Sequence, residues 1–241
     1  MVARIAMVAG EASSDQLAAH LIDALKQQLP QIECFGIGGP KMQGEGFISH
    51  WTGEKIAIPG YNGMARPFTV LAGNRRPLLK SLLKNPPDLF IGVDGYDFNA
   101  WLERRLKRAG IPTVHVVSPT IWAWRRGRLK NIVRSMTHIL ALYPFEPALY
   151  ADTSVKCTYI GHPMADVIPF DSNRQAMRER LGISPDQPVV ALLPGSRRGE
   201  LQHLAEDFIA AAKLLHEKNP ALRFLVPLVS AETRQQFETA L

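Results

Sequence analysis

Cysteine is nearly absent: the 241 residues carry two, Cys34 and Cys157, far apart and without metal-ligand spacing. That argues against a disulfide framework or a thiolate metal site and fits reduced, cytosolic residues. Long apolar runs are missing too, so no segment reads as a bilayer span. The opening Met-Val-Ala-Arg-Ile-Ala-Met-Val-Ala-Gly enters a strand at once instead of showing a signal-peptide pattern, and a cytoplasmic protein is expected. The turn after that strand lacks the Gly-x-Gly-x-x-Gly fingerprint, which counts against a nicotinamide dehydrogenase. Acidic residues are absent from two tracts, between Glu54 and Asp88 and between Glu103 and Glu146, each holding several Lys and Arg. Much of the net charge of +6 is therefore local, and it points to an anionic partner: phosphate, a membrane surface or nucleic acid.

What is present is a large apolar fraction, 46%, arranged as short buried strands alternating with helices, the pattern of a parallel α/β sheet. The chain is organised around Pro87 to Asn99. Leu89–Val93 is an apolar run bounded by Pro-Pro before and Asp-Gly after, a fully buried strand. It delivers Asp94 to its C-terminal end, where open α/β sheets keep their ligand crevice. A rigidly placed, half-desolvated carboxylate suits a general base, and a simple turn cap is the other reading.

Further strands are expected at Arg4–Ala9, Ile32–Ile37, Thr113–Val117, His138–Tyr143 and Cys157–Ile160. A helix from the Gly10-to-Asp15 turn to about Gln28 presents Leu17, Leu21, Ile22 and Leu25 at helical spacing. Its first turn offers backbone N–H groups to an anion or hydroxyl, with Ser13 or Ser14 as binder or as plain N-cap. Gly38-Gly39-Pro40 permits close backbone approach, as many turns do. The basic, apolar and proline-broken stretch 56–84 reads either as a membrane-surface segment or, over 78–84, as a crossover helix packed on the sheet. A helix is expected from about Asn99 to Ala109, ending at Gly110, and a basic one from Arg126 to Met136. Trp122 and Trp124 beside arginines could stack a sugar, base or lipid, or wall a core. His162 reads as an acid/base group or a hydrogen-bonded structural residue.

Ile168 to Gln187 is a polar connection with one short helix, Arg174–Leu181, and the best boundary candidate. Beyond it, strand Val189–Leu193 leads through Pro194-Gly195-Ser196-Arg197-Arg198-Gly199-Glu200 into a helix to about Leu215. Strand Arg223–Val229 and a helix from Glu232 follow. The strand–Gly–Ser–Arg–helix unit has the form of a diphosphate cradle and is not a Walker loop. Two strands make a poor domain, so a chain continuing past Leu241 is expected.

Taken in order, Val8-Ala9-Gly10-Glu11-Ala12-Ser13, Gly38-Gly39-Pro40 with Met42, Asp88 to Asn99, and Val117-Ser118-Pro119 resemble the lipid-A-disaccharide synthase family. Ile121-Trp122-Ala123-Trp124-Arg125, Pro144-Phe145-Glu146, Gly161-His162-Pro163-Met164-Ala165-Asp166 and Ala191 to Arg197 with Glu200 continue the match. The resemblance covers essentially the whole chain and implies an inverting glycosyltransferase of GT-B architecture. One Rossmann-like acceptor and membrane domain would span 1–167 and a linker 168–187. The start of a nucleotide-sugar domain would span 188–241. The family joins UDP-2,3-diacylglucosamine to 2,3-diacylglucosamine 1-phosphate (lipid X) at the cytoplasmic face of the inner membrane, without metal or cofactor. The resemblance implies Asp94 as the base, facing a cradle in the other domain.

It further implies substrate contacts at Gly10, Glu11, Ser13, Gly38, Gly39, Asp97, Asn99, Ser118, Trp124, Glu146 and His162. Gly195, Ser196, Arg197 and Glu200 would hold the diphosphate, and Tyr61, Met64, Phe68 and Leu71 would meet acyl chains or membrane. Three departures stand out: Ser14 for the family's glycine, Pro59 to Gly63 without the family's Glu, and Gly95-Tyr96 for its Ala-Pro. A diverged, non-catalytic paralogue binding acylated sugar or UDP-sugar is the alternative. No nucleic-acid partner is expected, and the oligomeric state stays open.

Overall fold

Alternation decides the first strand, β1 (Arg4–Ala9): Ile5, Met7 and Ala9 pack on one face, Ala6 and Val8 on the other. A strand apolar on both sides must be covered by helices on both sides, and this one is. The computed structural model describes residues 2–49, 75–123 and 126–241. The stretch 50–74, with Tyr61, Met64, Phe68 and Leu71, lies outside the described residues, and so does Trp124. The described chain divides into two units, Met1–Ile168 and Pro169–Leu241.

The first unit runs β1, α1 (Ala12–Gln28), β2 (Glu33–Ile37), α2 (Pro40–Gly44), β3 (Ile48–Ser49), α3 (Arg75–Lys84), β4 (Leu89–Val93) and α4 (Tyr96–Arg108). It continues with β5 (Thr113–Val116), α5 (Leu129–Ser135), β6 (His138–Ala141), β7 (Lys156–Tyr159) and α6 (Met164–Val167), with short 3-10 turns at Arg126–Arg128 and Pro147–Tyr150. Among the described residues its strands form one parallel sheet in the order β3-β2-β1-β4-β5-β6-β7. The order reverses between β1 and β4, and that is where a doubly wound sheet opens its crevice.

Ala18, Ala19 and Ile22 of α1 cover Ile5, Met7 and Ala9. Leu78 and Leu82 of α3, with Phe98, Leu102 and Leu106 of α4, cover Ala6, Val8 and Phe90. Burying Phe98 alone is worth roughly 2 to 3 kcal/mol. Residues 75–84 are thus a crossover helix, with Arg76, Lys80 and Lys84 outward and one leucine, Leu83, exposed. Part of the basic tract is structural too. Lys107 Nζ donates to the Val133 and Met136 carbonyls at 2.9 and 2.5 Å and so closes the C-terminal end of α5.

The second unit holds α7 (Arg174–Arg180), β8 (Val189–Ala191), α8 (Arg198–Lys218), β9 (Arg223–Leu225) and α9 (Ala231–Ala240). Its two strands pair in parallel. Leu201, Ala205 and Ile209 of α8 pack on Phe237 of α9.

Several elements differ from their expected bounds, each for a local reason. Helix α4 starts three residues before Asn99 because Gly95, at φ 50°, turns the chain into it. Strand β5 stops at Val116 because Val117 takes φ 77°. The expected Arg126–Met136 helix is a 3-10 turn followed by α5, and α2 and β3 were not expected at all.

Candidate functional site

Register brings three strand ends together. Ala9 pairs with Val93 and Val93 with Val116, so Gly10, Asp94 and Val117 leave the sheet side by side at the switch point. Asp94 has φ 53° and is followed by Gly95 at φ 50°, two left-handed residues in succession. Val117 has φ 77°, a costly backbone state for a β-branched residue. Non-glycine residues in such states cluster where side-chain direction matters, and here two of them flank one edge of the crevice. Asp94's amide still donates to Val116's carbonyl at 2.9 Å, which ties the turn to β5. Its carboxylate is half-buried and, among the described residues, has no hydrogen-bond partner.

Beside it, Glu11 is the N-cap of α1. Its amide donates to Ser14 Oγ at 3.0 Å, and that hydroxyl donates to Glu11's carbonyl at 2.9 Å. The serine that departs from the family pattern therefore serves as a cap. Gly10 is buried and Ser13 exposed on the first turn.

Several other expected substrate contacts have partners within the protein. Asn99 has no exposed surface, and its amide Nδ2 donates to the Asp94 carbonyl at 2.8 Å and the Val8 carbonyl at 3.4 Å. It supports the turn. Gly38 and Gly39 are buried, and a Cβ on Gly39 would collide with the carboxylate of Asp15. Asp15 accepts the amides of Gly39, Lys41 and Met42 at 2.8, 3.1 and 3.1 Å, holding the start of α2. Asp97 points outward and pairs with Arg128 at 2.8 Å. His162 Nδ1 accepts the Met164 amide at 3.2 Å, the structural alternative for that residue.

Ser118 and Glu146 are buried at the ends of β5 and β6. Ser118 Oγ meets Tyr150 Oη at 2.8 Å, and Glu146 accepts the Tyr143 amide at 3.1 Å. Burial pushes the Tyr150 phenol up to about 12 and the Cys157 thiol up to about 11, the nearby Glu146 adding to the latter. Just outside, Trp122 meets Phe145 edge to face at 5.4 Å, and Phe145 stacks on Tyr143 at 5.8 Å. All three are about half exposed. Tyr143 was not singled out in the sequence, where only its place after an apolar strand could have marked it.

In the second unit Glu200 Oε2 accepts the amides of Ser196 and Arg197 at 2.8 and 3.1 Å, and its other oxygen lies 3.3 Å from Arg197 Nη1. A carboxylate that fills the nest repels a diphosphate. Glu200 is thus the cap of this turn in the structure.

The two glutamates respond to acid with opposite sign. Hydrogen bonds from the Ser196 and Arg197 amides hold Glu200 below its ordinary value of 4.5. Its contribution is present above that value and is lost as pH falls through the lower folded one. Burial raises Glu146, more than the Tyr143 amide and Ser118 lower it. The folded state therefore takes up that proton first, and stability rises as pH falls through the raised value. Urea unfolding between about pH 3 and about pH 7 should show a shallower acid loss in Glu200→Gln and a missing gain in Glu146→Gln. Parallel curves for wild type and either variant would contradict that assignment.

Among the described residues no group of three His, Cys, Asp or Glu could hold a metal ion. The parallel sheet with a switch point between β1 and β4, followed by a second βα unit, defines an α/β protein of the GT-B type. Solved structures agree on the fold. A UDP-GlcNAc 2-epimerase from Neisseria meningitidis bound to UDP-GlcNAc aligns at TM-score 0.64 and 12% identity, over 100% of this chain and 70% of that one. The Methanocaldococcus jannaschii enzyme with UDP-GlcNAc and UDP aligns at 0.60 and 12%, over 100% and 69%.

Sequence comparison narrows the class. The lipid-A-disaccharide synthetase family model matches residues 5–241, and the chain belongs to that family. Curated relatives named lipid-A-disaccharide synthase include one from Azoarcus sp. strain BH72, 54% identical over 100% of this chain. Another, from Neisseria meningitidis serogroup C, is 44% identical over 98% of this chain. The chain spans 62% of the length of each of these two relatives.

Proposed function

We propose that this chain carries the acceptor-side domain and part of the donor-side domain of a lipid-A-disaccharide synthase. It would join UDP-2,3-diacylglucosamine to lipid X with release of UDP. The observation that carries the reading is Asp94, a carboxylate without a protein partner among the described residues, held at the switch-point end of β4. Membership of the family supplies the substrate class.

In this reading Asp94 takes the proton from the acceptor 6-hydroxyl as that oxygen attacks the donor's anomeric carbon. The anomeric carbon–oxygen bond to UDP breaks, and its electron pair leaves on the diphosphate. Arg197 and the Ser196 and Arg197 amides would stabilise that charge once Glu200 withdraws. The exposed Trp122, Tyr143 and Phe145 rings offer an apolar surface for a sugar face or an acyl chain. No helix among the described residues is long and apolar enough to cross a membrane. Attachment to the inner-membrane surface is proposed through the acid-free basic tracts, whose cations attract anionic lipid.

The test is a native-length protein incubated with both substrates and followed by mass spectrometry. The expected product is a disaccharide 1-phosphate, formed together with UDP. UDP release without disaccharide, or no turnover although both substrates bind, would overturn the reading.

A further inference from the structure

The turn that holds Asp94 needs a device to keep it left-handed, and Asn99 is buried against it. The Asn99 amide faces two carbonyl oxygens, of Asp94 at the end of β4 and of Val8 near the end of β1. Only the NH₂ side of an amide can serve two acceptors, so its orientation is settled by its neighbours. The contact joins the two strands that border the crevice and fastens the carbonyl that follows Asp94's φ of 53°.

Room for Asn99 comes from Gly92. A Cβ there would lie 2.9 and 3.0 Å from Asn99 Cβ and Cγ, and would collide with Glu103 Oε1. One turn further along α4, Glu103 is itself fully buried and bonds His115 Nδ1 at 2.7 Å, which anchors the helix to β5. The amides of Phe98 and Asn99 both donate to the Gly95 carbonyl, at 3.0 and 3.1 Å, so the start of α4 is pinned from inside as well. Asn99 is the one side chain among the described residues that hydrogen-bonds Asp94.

We propose that Asn99 is a positioning residue that fixes the direction of the Asp94 carboxylate through the Asp94 backbone, and is not a substrate contact. The inference rests on Asp94 being the base. Without the amide, the Asp94 peptide can rotate toward commoner backbone states and carry the carboxylate away from an acceptor hydroxyl. Misplacement by about 1 Å costs on the order of 10²-fold in rate. Asn99→Ala should therefore lower kcat by roughly 10- to 100-fold while both KM values stay within about twofold.

A structural defect would slow any version of the enzyme, whereas a positioning defect needs a carboxylate to misplace. The experiment is a double-mutant cycle on kcat in the native-length protein with Asn99→Ala, Asp94→Asn and the pair. The expected result is a loss for Asn99→Ala in the wild-type background and no further loss in the Asp94→Asn background. Asn99→Asp, similar in shape but without the donor when ionised, stands in if the alanine variant is not folded. Equal fold-losses in both backgrounds, an unchanged kcat in a folded Asn99 variant, or failure of both variants to fold would overturn the inference. A wild-type rate in Asp94→Asn would remove the base reading itself and the inference with it, a result distinct from the others.

Discussion

Asp94→Asn in the native-length protein should cut disaccharide formation by about 10²- to 10⁴-fold, the range that a positioned general base contributes. The variant is a clean one. Asn tolerates a left-handed backbone as well as Asp does, so φ 53° at this position is not disturbed. The amide at residue 94 can still donate to Val116, and Asn99 can still reach the residue 94 carbonyl. What changes is the capacity to accept a proton. The loss should fall on kcat with little effect on either KM, because the missing interaction operates only as the proton moves. A variant retaining more than about a tenth of the wild-type rate would remove Asp94 from the chemistry.

Asp15→Ala should strongly destabilise the first unit. Asp15 is 4% exposed and accepts three amides at the start of α2. Removing it leaves buried donors without acceptors, at a cost of roughly 3 to 5 kcal/mol. For a unit of this size that is a fall in Tm of roughly 6 to 20 °C. Asp15→Asn keeps one acceptor oxygen and should lie between the variant and wild type. Differential scanning calorimetry decides the matter, and a fall of less than about 2 °C would show that α2 holds itself.

The same residue marks where sequence reading stopped. The strand that ends at Asp94 was legible because an apolar run between Pro-Pro and Asp-Gly reads as a buried parallel strand. The first helix was legible from its spacing. Gly38 and Gly39 read in the sequence as a close backbone approach, and at Gly39 the group that approaches is Asp15, a residue 24 positions earlier in the chain. Only the fold reveals that partner. The protein partners of Ser118 and Glu146, Tyr150 and the Tyr143 amide, were likewise not legible from the sequence. Helix α2 and strand β3 span five and two residues, too few for any periodicity to register. Val117 ended its strand early through a backbone state that valine gives no hint of adopting.

Gly92 has a bearing on inheritance and on engineering. A methyl group there would disturb both Asn99 and Glu103. The direction of Asp94 thus depends on a hydrogen atom two residues upstream, at a position that carries no chemistry. A graft of the Asp94 corner onto another parallel sheet would fail without that glycine, even with every polar residue transplanted. In a lineage drifting away from catalysis, a larger residue at 92 would be an early trace of lost activity, legible while Asp94 itself was still in place.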